Sequence, residues 1–129
     1  GDTVPETEDD FERLLIASPN NSYLWIKYLA WQLSRTEVDK ARAVAERALK
    51  SIGFRDEQEK LNVWVALLNL EHTYGDAKSL AAVFARALTH NDPQAVHMQM
   101  LSLYRRSGHY EEAEALYKIA ARKYPTSLA

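Results

Sequence analysis

The sequence predicts an all-α chain, a superhelical stack of about three helix-turn-helix repeats preceded by part of another. Three observations predict it. A string of residues recurs at fixed offsets, capping and helix-stopping residues punctuate the chain at the same period, and turn formers are scarce. Four Gly and four Pro in 129 residues, amid abundant Ala, Leu, Glu, Lys and Arg, favour helices over an all-β fold. At 47% hydrophobic residues, a chain of this length can bury one continuous core and is too short for two independent domains to be expected.

The repeat sets the register. The string from Trp64 to Glu71 aligns with that from Trp25 to Gln32 at an offset of 39 residues, and the same offset places Phe84 to Leu88 on Ala45 to Leu49. A third copy lies 33 residues on, where His97 takes the Trp position, Gly108 matches Gly75 and Tyr117 matches Phe84. Periods of this size belong to helical arrays, and the six extra residues between the first two copies fall at Ile52 to Glu57, between one helix pair and the next. Each copy divides into two helices, A and B. The A helices are expected at Asn21 to Arg35, Arg55 to Tyr74 and Pro93 to Ser107, and the B helices at Thr36 to Ile52, Asp76 to Thr89 and His109 to Tyr124. Asn20 or Asn21, Thr36, Asp76, and Asn91 with Asp92 and Pro93 are the expected caps, and Gly53, Gly75 and Gly108 sit where helices should stop.

Ahead of the first full copy, Phe11 to Leu15 lies 34 residues before Ala45 to Leu49 and looks like the B helix of an earlier repeat, closed by Pro19. The expected organisation is an acidic flexible lead-in over residues 1–8, then one array over residues 9–129. Within it fall a partial repeat (9–19) and repeats at 21–52, 55–90 and 92–125. The array is expected to begin and end in mid-stack, with open ends through which the chain can self-associate.

The charge balance, 16 Lys plus Arg against 18 Asp plus Glu, lacks the basic excess of a domain that grips phosphates. With no Cys, disulfides, thiol catalysis and thiolate zinc sites are excluded. No run of about 18 apolar residues is present, so no membrane segment is expected. His72, His90, His97 and His109 have no i, i+4 pairing suited to a metal, and His97 reads as a partly buried packing residue. Nucleophile elbows, Gly-rich phosphate loops and Ser, His and Asp constellations are missing from the sequence, so neither catalysis nor a cofactor is expected. Trp25, Tyr28, Trp31, Trp64, Phe84, Tyr104, Tyr110 and Tyr117 occupy repeat-equivalent apolar positions and are expected to pack in the core. Glu71 and Arg86 of the second copy are both replaced in the third, by Tyr104 and Ile119, which suggests a structural pair linking A and B helices.

The A-helix residues Trp25, Tyr28, Trp64 and Glu71, with the B-helix runs Ala41-Arg42, Glu46 to Leu49 and Phe84 to Leu88, resemble the half-a-tetratricopeptide (HAT) signature typical of RNA-processing scaffolds. The third copy, with Leu103, Tyr104, Gly108, Tyr110, Ala113, Tyr117, Ala120 and Pro125, is closer to a plain tetratricopeptide repeat, and Gln32, His97 and Tyr104 depart from the HAT pattern. More specifically, Asp9 to Leu14, Lys40 to Lys50 and Glu59 to Glu71 resemble the C-terminal repeat region of the programmed cell death protein eleven family. These are large ribosomal-RNA-processing proteins with a string of S-one RNA-binding domains upstream. The resemblance implies a nucleolar protein of the pre-ribosome, needed for pre-rRNA cleavages, whose C-terminal array serves mainly small-subunit assembly.

The favoured role is a non-enzymatic protein-binding scaffold, with pre-ribosomal assembly factors as the partners the resemblance implies. One alternative is an accessory RNA-contacting surface around Arg35, Lys40, Arg42, Arg47 and Lys50, although Glu37, Asp39 and Glu46 interleave with these cations. Another is a HAT scaffold of a different RNA-processing machine. The A helices should expose one line to solvent, and polar or small residues mark it. Tyr23, Lys27, Ala30 and Ser34 share a helix face, and the repeat offsets carry them to Asn62, Ala66, Asn69 and Thr73 and then to Ala95, Gln99, Ser102 and Arg106. The candidate partner-binding residues are therefore Tyr23, Lys27, Asn62, Asn69, Gln99, Ser102 and Arg106, the inner wall of a groove for an extended or helical peptide.

Overall fold

A computed structural model describes residues 4–125 and contains seven helices, with no strand among the described residues. They are α1 (Glu8–Ala17), α2 (Ser22–Ser34), α3 (Val38–Ser51), α4 (Glu57–Tyr74), α5 (Ala77–His90), α6 (Pro93–Arg106) and α7 (Tyr110–Lys123). The six A and B helices expected from the period are all present, with ends within about two residues of expectation.

The caps explain where the helices begin. Asn21 accepts from the Leu24 amide at the start of α2, Asp76 and Ser79 form a reciprocal capping box on α5, and Asp92 caps α6 with Pro93 in its first turn. Helix α1 starts at Glu8, earlier than the expected lead-in allows, because Thr7 and Asp10 form a further capping box. Residues 1–3 of that lead-in, and the residues of the array beyond 125, lie outside the described residues.

Thr36 is not the cap expected of it. It adopts a left-handed backbone (φ 59°) and closes α2 instead of opening α3. Its amide donates to the Leu33 carbonyl at 2.9 Å while the Glu37 amide reaches the Gln32 carbonyl at 2.9 Å, the paired bonds of a Schellman closure. The same closure ends α6, where Gly108 (φ 78°) donates to Arg105 and the His109 amide donates to Tyr104 at 2.8 Å. Thr36 and Gly108 are equivalent positions in the repeat, so one copy fills a glycine site with a β-branched residue. Gly75, the intervening equivalent, answers a different need. A Cβ there would stand 2.9 Å from the Glu71 carbonyl oxygen.

Two compact units are distinguished, Gly1–Leu70 and Glu71–Ala129. In the first, α1 packs on α2 and α2 on α3. Trp25 and Trp64 are buried as expected, among Leu24, Leu29, Val44, Val63, Leu67 and Leu68. The Trp25 indole N–H donates to the Pro19 carbonyl at 2.8 Å, fixing the turn that Pro19 closes. Phe11 of α1 stacks flat on Tyr28 (centroids 4.8 Å apart) and lies against Trp31 at 5.8 Å. Beside this cluster, Glu12 accepts two hydrogen bonds from the Arg47 guanidinium, both 2.7 Å, and one from the Tyr28 hydroxyl at 2.7 Å. Arg47 hydrogen bonding holds the Glu12 carboxyl below its ordinary range, and burial, aided by Glu12, pushes the Tyr28 phenol up to about 12. Thus the B-helix Arg of the first copy takes its carboxylate from the preceding B-type helix. The equivalent of Glu71, Gln32, turns to Glu8 at 3.2 Å.

In the second unit α5 packs on α6 and α6 on α7, around Leu80, Val83, Met100, Leu101, Leu103 and Ala120. His97 is buried, its Nδ1–H donating to the Pro93 carbonyl at 2.8 Å and its ring edge-on to Phe84 at 5.4 Å. Two aromatic expectations fail here. Tyr110 is 70% exposed and Tyr117 37% exposed, so neither is a core residue. With Arg105, Ala113 and Glu114 they line an open groove of about 260 Å³ along α6 and α7, because no described helix lies over this face of α7.

Candidate interaction surface

The expected solvent line is visible helix by helix. None of the twelve positions is buried, and in each A helix the residues that follow the first two stripe positions turn inward. Leu24 and Tyr28 follow Tyr23 and Lys27 into the core, Val63 and Leu67 follow Asn62 and Ala66, and Val96 and Met100 follow Ala95 and Gln99. On α2, Tyr23 and Ser34 are exposed and Lys27 is half-buried, with its ammonium 5.2 Å from the Tyr23 ring centre. On α4, Asn62 and Asn69 are half-buried. Asn69 donates to the Val65 carbonyl at 3.0 Å, while Asn62 donates to Ser22 Oγ at 3.0 Å and accepts from Gln58 at 2.9 Å. On α6, Gln99 is half-buried, Ser102 and Arg106 are exposed, and Arg106 donates to Ser102 Oγ at 3.0 Å. The first four candidate residues belong to one compact unit and the last three to the other.

One part of this surface carries no signal in the repeat pattern. Glu59 of α4 accepts from the backbone amide and the hydroxyl of Ser22, the buried first residue of α2. That amide is one of the donors every helix leaves unpaired at its start, and a carboxylate there also meets the positive end of the dipole. Glu59 thereby caps α2 from another helix and brings Asn62 to the first turn of α2. Residue spacing could not show this, since no other copy has Ser and Glu at these positions.

Three of the four α3 cations, Lys40, Arg42 and Arg47, stand beside carboxylates. Arg47 is engaged by Glu12, Arg42 by Asp39 at 2.9 Å and Lys40 by Glu8 at 4.0 Å, while Arg35 lies over the Trp31 ring. Among the described residues, no group of three His, Cys, Asp or Glu side chains is placed to hold a metal ion, and no helix is long and apolar enough to cross a membrane.

No protein-family model matches the chain. Individual relatives do. A mouse protein named Protein RRP5 homolog is 54% identical over 120 residues, 93% of this chain. The Arabidopsis thaliana and Drosophila melanogaster proteins named rRNA biogenesis protein RRP5 are 44% and 40% identical, over 96% and 95% of the chain. The chain spans only 6% to 8% of the length of these relatives. At such identity over nearly the whole of its own length, the chain belongs to the RRP5 family, matching a short segment of those proteins.

Proposed function

We propose that this segment is a non-enzymatic scaffold of HAT and tetratricopeptide-like repeats that holds protein assembly factors of the pre-ribosome. Its place would be in the nucleolus, in pre-rRNA processing and small-subunit assembly. The setting in rRNA biogenesis rests on the relatives' names. The binding role rests on one observation: a line of small and polar residues stays out of the core on α2, α4 and α6, although the residue after each of its first two positions is buried or half-buried. A helix stabilised only by its core has no need to keep that line in register through three copies, whereas helices presenting one edge to a partner do. The carboxylates beside Lys40, Arg42 and Arg47 favour protein over RNA as the partner. Self-association through the Tyr110 and Tyr117 groove is a separate proposal, and light scattering of the segment over a concentration series reads it directly.

The test reverses one charge of the candidate set in each compact unit, Lys27→Glu in the first and Arg106→Glu in the second. Neither side chain is buried, so the melting temperature should stay within about 2 °C of the parent, as for surface substitutions generally. Pre-ribosomal particles purified through the variant should lose assembly factors that the parent retains. Undiminished recovery by a folded variant would remove the A-helix line as the binding face.

A further inference from the structure

The turn between the first two repeats carries an exposed aromatic residue on a firmly held backbone. It coincides with the six residues by which the first repeat interval exceeds the second. Ile52, at its start, is buried, and the Gly53 amide donates to Asn20 Oδ1 at 2.9 Å. The Asp56 amide closes a turn onto the Gly53 carbonyl at 3.0 Å, and Asp56 then accepts from Lys60 as α4 begins. Between these anchored points Phe54 is 78% exposed, with the Arg55 guanidinium 5.5 Å from its ring centre. A single exposed apolar side chain is ordinary on a protein surface, but a large aromatic ring on an anchored backbone, with a guanidinium over it, is the kind of residue that anchors binding surfaces.

Phe54 does not stand alone. Asn20, which holds Gly53, directly precedes the first turn of α2, where Tyr23 is 69% exposed with Lys27 over its ring. Two ring-and-cation pairs therefore flank one hydrogen-bonded junction, inside one compact unit. We infer that this junction is a docking knuckle for a protein segment that presents an apolar anchor residue beside a carboxylate. The anchor packs on Phe54 and Tyr23 and the carboxylate meets Arg55 and Lys27, each cation being already held over a ring of the patch. Nucleic acid fits less well, because a run of phosphates needs an extended positive surface and here Asp56 and Glu57 follow Arg55 directly, whereas a single carboxylate needs only one local cation. The inference rests on the reading of the segment as protein-binding; it shares Tyr23 and Lys27 with the A-helix line and adds Phe54 and Arg55 outside it.

The test places the photo-crosslinking residue p-benzoylphenylalanine at position 54 of the full-length protein in cells, with crosslinked peptides identified by mass spectrometry. The expected product is a protein segment with Leu, Phe or Trp within about three residues of Asp or Glu. A fluorescent synthetic peptide of that sequence should then bind the purified protein, and Phe54→Ala should weaken binding at least about tenfold. Arg55→Glu should weaken it comparably and flatten its salt dependence, with Arg55→Lys restoring most of the loss. Melting temperatures report folding, and if Phe54→Ala melts low, the Arg55 pair decides the outcome. Crosslinks only to RNA, only to segments lacking an acidic residue, or none at all would overturn the inference, as would unchanged peptide affinity in both variants. Loss of assembly factors in the Lys27 and Arg106 double variant, with Phe54→Ala silent, would leave the A-helix line standing and remove the knuckle.

Discussion

Replacing Thr36 by Gly should stabilise the protein, against the usual direction of mutations to glycine. Thr36 holds φ at 59°, where an L-residue has its Cβ too close to the following carbonyl, at a cost of about 1–2 kcal/mol. Glycine removes that cost but gains freedom in the unfolded chain, worth about 0.5–1 kcal/mol in the opposite direction. The Thr36 hydroxyl bonds only to its neighbour's carbonyl at an exposed site, so little else is lost. The net expectation is a gain of about 0.5–1 kcal/mol, or roughly 2–4 °C in Tm for a chain of this size. Gly108→Ala is the mirror experiment. An added Cβ there meets nothing within 4 Å, so its loss, about 1 kcal/mol or more, measures the left-handed backbone alone. Urea denaturation followed by helical circular dichroism, at constant m, measures both. A lower midpoint for Thr36→Gly together with an unchanged midpoint for Gly108→Ala would refute the shared Schellman closure.

Trp64→Ala should cost about 3–5 kcal/mol, since the indole is buried and its loss opens a large cavity; a melt within a degree or two of the parent would contradict the repeat register. Glu59→Ala should cost about 1–3 kcal/mol by leaving the buried Ser22 amide and hydroxyl without their acceptor, measured by the same denaturation. Because the Glu12 carboxyl is held below its ordinary value of 4.5, its contribution is complete above that pH and is lost as pH falls through the folded-state value. The stability difference between parent and Glu12→Gln, about 0.5–1 kcal/mol for a half-exposed pair at neutral pH, should therefore shrink on acidification below about pH 4.5. A gap that stays constant to pH 3 would show that Arg47 does not depend on the Glu12 charge.

Much of the fold could be read from the residues because a helix advertises itself twice, through the spacing of its apolar side chains and through its caps. Trp25, Trp64 and His97 sat at the apolar positions of their copies, and Asn21, Asp76 and Asp92 stood one residue ahead of the helices they cap. What escaped depends on tertiary placement. Thr36 resembles a cap in any list of residue preferences, and only the geometry of the three-residue connection puts it in the left-handed region. Tyr110 and Tyr117 obey the apolar period, yet a period says which face a residue is on and not whether another helix covers that face. The candidate line on the A helices was legible because exposure leaves a polar trace in the register. Phe54 was not, because an exposed apolar ring in an insertion breaks that rule instead of following it.

The bond from Glu12 to Arg47 reaches beyond the two residues it joins. In a chain whose stability is a sum of intrinsic terms and nearest-neighbour terms, this contact belongs to the second kind, as do the stacked Phe11 and Tyr28 rings. Fraying from the α1 side would then not be gradual. Release of α1 removes in one event the ring over Tyr28, the carboxylate of Arg47 and the acceptor of Gln32, whose Oε1 is already buried without a donor. Amide exchange should show α1 and the Tyr28 turn of α2 opening together, as one cooperative step, while the Trp64 turn of α4 stays closed.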